Sequence, residues 1–171
     1  MDQCLECGFT YDPDDAPAAG PAITQGAAAV DEILRGHAPD DLAKRRRPDT
    51  WSPLEYACHL RDVLLVQRER VLTARWADRP VCAPMGRDER VEHDGYAKQD
   101  PVDVARQLTD AARLFTNVLD QVDPPGWSRV LVYPFPEPVE RSLRWVAVHT
   151  VHEVRHHLLD IRRQVQDGRT P

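Results

Sequence analysis

The amino-acid sequence predicts an all-α fold, an antiparallel four-helix bundle, on three observations. Four segments carry apolar residues at helical spacing or open on a helix-capping signal. The stretches between them are rich in Pro and Gly, and no segment alternates convincingly as a strand. At 171 residues the chain suits one domain with a small addition, and is long enough to bury a core.

Residues 1–21 read as an appendage. Cys4 and Cys7 form a CxxC, followed by Gly8, Phe9 and Tyr11 and then by an Asp/Pro/Ala/Gly stretch with no apolar periodicity. The bundle is expected over 22–171. Its first helix spans about 22–36, with Ile23, Ala27, Val30 and Leu34 on one stripe and Gly36 at the end. A cationic run, Lys44-Arg45-Arg46-Arg47, is expected to cover a solvated loop. The second helix has the best-marked start: Ser52 offers an N-cap hydroxyl, Pro53 the first helical position and Glu55 the return bond. It should run to about Ala77. Residues 78–99, with Pro80, Pro84, Gly86 and Gly95, read as a long loop, and a loop of that length in a compact domain commonly covers a site.

Asp100-Pro101 opens the third helix by the same logic, and Asp123-Pro124-Pro125-Gly126 ends it. Trp127–Pro138 contains three prolines, which leaves room for a short extended piece but not for a sheet. The fourth helix begins near Ser142 and reaches Gly168.

Composition narrows the function. A net charge of −6 does not favour nucleic acid as a partner. No apolar run approaches the roughly 18–20 residues of a membrane span. The N-terminus has no basic-then-apolar leader, so a cytoplasmic protein is expected. Four cysteines in such a chain do not make a disulfide framework.

The histidines are the most informative residues. Four of the seven lie between 149 and 157. On a helix, His149, His152, Glu153, His156, His157 and Asp160 share an arc of roughly 140°, opposite Val151, Val154, Leu158, Ile161 and Val165. An ordinary solvated face also lies opposite an apolar stripe, but such a face uses Lys and Glu rather than His. Glu153 and His157 are four residues apart and can converge on one divalent cation of the zinc or nickel type. His59, at the edge of the second helix's stripe of Tyr56, Leu60, Val63, Leu64 and Val71, is the third candidate ligand. Two His and one carboxylate leave coordination positions open. His152 and His156 make a second pair of the same spacing, and the residues alone leave both registers open. His149 and Asp160 are candidate hydrogen-bonding partners that orient the ligands. Cys58 reads as a buried small residue, and Trp51 and Trp145 as packing residues.

The ordered pattern Trp51…Glu55…His59-Leu60-Arg61-Asp62, Gly126-Trp127 and His149…His152-Glu153-Val154-Arg155-His156-His157-Leu158-Leu159-Asp160-Ile161 resembles the DinB-like superfamily. Within it, the E-V-x-x-H-x-x-D ending is similar to the mycothiol-dependent maleylpyruvate isomerases. The resemblance covers about residues 22–166. In that superfamily one His of the second helix joins an H-x-x-x-H pair of the last, and in the isomerase branch the pair begins with Glu. The resemblance therefore implies a metal triad of His59, Glu153 and His157. It further implies a divalent-metal-dependent thiol transferase or isomerase that uses a mycothiol-type low-molecular-weight thiol and an electrophilic small-molecule substrate. A non-catalytic metal-binding bundle of stress-response type is the alternative.

Cys4-Leu5-Glu6-Cys7-Gly8 looks like one knuckle of a structural zinc site, which needs two more ligands. Cys82, His93 or His37 could supply them, as could a second chain in a homodimer. A redox pair, or no defined role, is the competing reading of the two cysteines.

Overall fold

Three of the four long helices begin at a capping residue, Ser52, Asp100 or Ser142, and the first follows Ala18 with no side-chain cap. In the computed structural model, which describes residues 3–167, the four long helices are α1 (Ala19–Gly36), α3 (Pro53–Trp76), α5 (Pro101–Leu119) and α6 (Leu143–Asp167). Two short ones, α2 (Pro39–Ala43) and α4 (Arg87–His93), lie in the connections. At the start of α3 the Ser52 hydroxyl accepts from the Glu55 amide (3.2 Å) and the Glu55 carboxylate accepts from the Ser52 amide (2.7 Å). Arg45 clasps the same carboxylate through two 2.8 Å hydrogen bonds. The cationic run is thus only partly a solvated loop, since one of its members locks a helix start. Asp100 caps α5 by accepting from the amides of Val102 and Asp103.

The four long helices form the bundle, with α1 and α3 on opposite corners and each packed against both α5 and α6. The core between them is apolar and closed: Ile23, Leu34, Leu60, Leu64, Leu108, Phe115, Leu143 and Ile161 are all fully buried. Among the described residues no helix is long and apolar enough to cross a membrane.

The α1–α6 contact depends on a missing side chain. A Cβ placed on Gly26 would stand 2.3 Å from the Val154 Cγ1 of α6. An alanine in mid-helix is otherwise favoured over glycine by about 1 kcal/mol, yet overpacking of this kind costs about 1–3 kcal/mol. Gly26→Ala is therefore expected to lower the urea midpoint; an unchanged or raised midpoint would mean that the two helices separate without cost.

Three segments depart from the sequence reading. Residues 78–99 contain a helix, α4, and a 3-10 turn at Tyr96–Lys98, flanked by Gly86 and Gly95 in left-handed conformation (φ 67° and 59°). The glycines that suggested a loop are the joints on either side of a seven-residue helix. Residues 127–142 form a two-stranded antiparallel hairpin, β1 (Val130–Tyr133) and β2 (Val139–Ser142), in register from Val130↔Ser142 to Tyr133↔Val139. Pro134, Pro136 and Pro138 fall in its connection and cost the ladder no donor, so a small sheet forms where none was expected.

The N-terminal residues, expected as an appendage, lie against α6. A 3-10 helix at Pro13–Ala18 packs there with Ala16 buried, and Phe9 is 8% exposed. Too few apolar residues, at irregular spacing, anchor this stretch for any periodicity to reveal it.

Candidate metal centre

The polar arc of α6 faces inward. Val154, Leu158 and Ile161 bury into the bundle on one side, while the histidine side is covered by α3, the N-terminal segment and the loops around a cavity. His149, His152, Glu153, His156 and Asp160 are consequently half-buried and His157 is buried.

His59 of α3 meets this arc at Glu153 and His157. One donor atom from each of the three lies within 4.8 Å of the other two. His59 Nε2 stands 4.0 Å and His157 Nε2 3.6 Å from Glu153 Oε2. His59 is 2% exposed, and neither of its ring nitrogens has a hydrogen-bond partner among the described residues. An unpaired buried polar group costs about 1–3 kcal/mol, and a cation between the three residues removes that cost. The donor set of two imidazoles and a carboxylate fits a divalent metal of borderline softness.

The surrounding charges set the protonation state of each of the three. Burial, reinforced by nearby His157, pushes the His59 pKa down to about 3, so its imidazole is neutral and free to donate a lone pair. Burial works to raise the Glu153 pKa, but His152, His157 and His149 outweigh it and hold the carboxyl well below the usual range. Burial also opposes protonation of His157, yet Asp160 and Glu153 overcome it and raise its pKa to about 9. Asp160 Oδ2 lies 3.0 Å from His157 Nδ1 and accepts its proton, which turns Nε2 toward the cluster. His149 is placed less directly: its ring stacks on Trp145 (4.5 Å), Nδ1 meets the Tyr11 hydroxyl at 3.1 Å, and Nε2 lies 3.7 Å from Glu153. Burial first of all lowers its pKa, to about 4.

A cavity of about 440 Å³ opens onto His59, Glu153 and His157. Residues 84–89, from the stretch expected to cover a site, form one wall, and residues 133–135 of the hairpin form another. Arg70 and Arg87 bring positive charge to it. Arg70 is held by the Ala83 carbonyl (2.9 Å) and lies over the Tyr133 ring (4.6 Å).

His152 and His156 turn to another neighbour, the N-terminal cysteines, and Cys4 Sγ is 3.6 Å from His156 Nδ1. Among the described residues no cluster with metal-ligating spacing includes Cys82, His93 or His37. Cys82 instead joins the hairpin edge by donating its amide to the Val132 carbonyl. Cys58 is fully buried beside Tyr96 and Gln99, as expected of a packing residue.

Sequence reasoning overlooked Tyr11, Tyr133 and Arg70 at the site. Nor did it show that Arg61 is buried against Asp62 under the α4 segment. Adjacent opposite charges on a helix look the same in sequence whether they are solvated or covered.

The fold and donor set define a helical-bundle protein with a His/carboxylate cluster of metal-binding type facing a cavity. The chain belongs to the DinB superfamily, whose sequence model matches residues 22–161. Among solved structures it is similar to one described as YfiT from Bacillus subtilis, a probable metal-dependent hydrolase with an unusual four-helix bundle topology. That similarity has a TM-score of 0.84 at 14% identity and covers 98% of this chain and 94% of the other. At that identity the likeness is one of fold. No curated protein sequence matches.

Proposed function

We propose that the protein is a divalent-metal-dependent enzyme acting on a small electrophilic substrate with a low-molecular-weight thiol, through His59, Glu153 and His157. The observation that carries this reading is the buried His59 ring, with no hydrogen-bond partner among the described residues, facing Glu153 and His157 at a cavity. A zinc or nickel ion held there would lower the pKa of a thiol in its open coordination positions and so supply a nucleophile. Once His157 had given up its proton in favour of the ion, two neutral imidazoles and one carboxylate would offset one of the ion's two charges, leaving a net attraction for a thiolate. Asp160 keeps His157 in the ligating tautomer. Arg70 and Arg87 offer ion pairs to a carboxylate of the thiol or substrate, with Asp88 and Glu89 on the same wall. The transfer or isomerisation chemistry is supported by the E-V-x-x-H-x-x-D pattern shared with the mycothiol-dependent isomerases.

The description of YfiT supports a second reading, hydrolysis, in which water takes the place of the thiol. Binding of metal without turnover is the remaining outcome.

Metal analysis of the purified full chain tests the site: His59→Ala and His157→Ala should each lose one equivalent of zinc or nickel relative to the unaltered protein. Full metal content in both variants would overturn the assignment. A substrate panel with and without added thiol then separates the chemistries. Thiol-dependent turnover that disappears in His59→Ala supports transfer, and turnover independent of thiol supports hydrolysis.

A further inference from the structure

The CxxC turn has the geometry of a metal knuckle. The Gly8 amide donates to the Cys4 carbonyl (2.9 Å), the Cys4 amide to the Phe9 carbonyl (2.8 Å), and Gly8 takes a φ of 70°, which a residue with a side chain rarely adopts. Gln3 and Thr10 pair across the turn as a short antiparallel bridge.

Opposite the turn, α6 presents His152 and His156, four residues apart. One donor atom from each of Cys4, Cys7, His152 and His156 lies within 4.8 Å of the other three. Both ring nitrogens of His152 are buried and neither makes a hydrogen bond among the described residues, with Nδ1 standing 3.6 Å from Glu153 Oε1. His156 presents Nδ1 to Cys4, while its Nε2 lies 3.3 Å from Glu6 and 3.6 Å from Asp160. That is the arrangement in which a carboxylate holds one nitrogen of a ligating histidine and leaves the other for metal.

We infer that Cys4, Cys7, His152 and His156 form a second metal site, a closed tetrahedral zinc site that clamps the N-terminal segment onto α6. Two thiolates and two imidazoles on four tetrahedral positions are the donor set of structural zinc, with no position left for substrate. Binding releases the two thiol protons to solvent and needs no other reactant. The clamp fixes Phe9 against His152 (5.4 Å) and Tyr11 against His149 (6.0 Å), so the N-terminal segment becomes the cover over the Glu153 side of the first cluster. The helix therefore carries two interleaved pairs: 152 and 156 serve the closed site, 153 and 157 the open one.

The test uses the full chain loaded with zinc, read by metal stoichiometry and zinc X-ray absorption. The unaltered protein should hold two equivalents, with sulfur scattering at about 2.3 Å. The Cys4→Ser/Cys7→Ser double variant should hold one equivalent and show no sulfur. His59→Ala should also hold one, with the sulfur contribution per metal doubled. The inference fails if sulfur scattering is absent from both the unaltered protein and His59→Ala. It also fails if the double variant retains the metal content of the unaltered protein. Because His59→Ala leaves the cysteines intact, the outcome does not depend on the double variant folding. The two sites also fail separately: a single sulfur-coordinated equivalent, unchanged in His59→Ala, removes the open site and leaves this one standing.

Discussion

Asp62→Ala is expected to lower the unfolding free energy by about 3–5 kcal/mol, the cost of leaving buried partners of a charge unpaired. Asp62 is 5% exposed on α3. Its carboxylate accepts from Arg61 Nε (2.8 Å), Arg90 Nη1 (3.0 Å) and the Tyr96 hydroxyl (2.7 Å). Arg61 continues the network to Gln99 and Gln107, both at 2.7 Å. One residue thus ties α3 to α4, to the Tyr96 turn and, through Arg61, to α5. Removing it leaves the buried Arg61 guanidinium with only the more exposed Asp94 carboxylate (3.2 Å) and frees the segment that walls the cavity. Urea denaturation measures the loss, and a change below about 1 kcal/mol would place the network among surface pairs of little consequence.

The same residue gives the effect a pH dependence. Burial works to raise the Asp62 pKa, but Arg61, Tyr96 and Arg90 together hold it below the ordinary carboxylate range. A depressed folded-state pKa contributes stability that is fully present above the unfolded value of about 3.9 and is lost as pH falls through the folded one. The gap between Asp62→Ala and the unaltered protein should therefore be widest near neutrality and narrow in acid. A gap that widens on acidification contradicts the sign of the argument.

Phe115→Ala should cost a similar amount, about 3–5 kcal/mol, by a different route. Its ring is fully buried on α5, the helix that contacts both α1 and α3. Deleting the ring loses its burial and leaves a cavity that close-packed neighbours cannot fill. The two candidate metal clusters lie on α3, α6 and the N-terminal segment, so the folded variant should retain its metal content. A fall in metal content at a temperature where the variant remains folded would show that α5 packing positions the ligands.

Much of this molecule is legible in its sequence because the relevant physics is local. Ser52, Pro53 and Glu55 determine where α3 starts, since the donors and acceptors of a helix cap are three residues apart. The spacing of Ile23, Val30 and Leu34 determines the buried stripe of α1. The ordered motifs around His59 and 149–161 place the chain in its superfamily. The i, i+4 spacing of Glu153 and His157 already permits their convergence.

What tertiary structure decided is the partner of each face. His152 and Glu153 point about 100° apart around the α6 axis, and nothing within the helix says that one will meet cysteines and the other His59. That assignment depends on where residues 3–18 lie, and this stretch holds its place through Phe9, Tyr11 and Ala16 without any periodicity. The burial of Arg61 and Asp62 was equally invisible, because only the helix inserted between Gly86 and Gly95 covers them. The sequence alone therefore determined the four long helices, the capped starts of α3 and α5, and the candidate metal ligands. The packing of irregular segments decided that the histidine-rich helix faces the N-terminal cysteines as well as His59, because the contacts made by such segments leave no periodic trace in the chain.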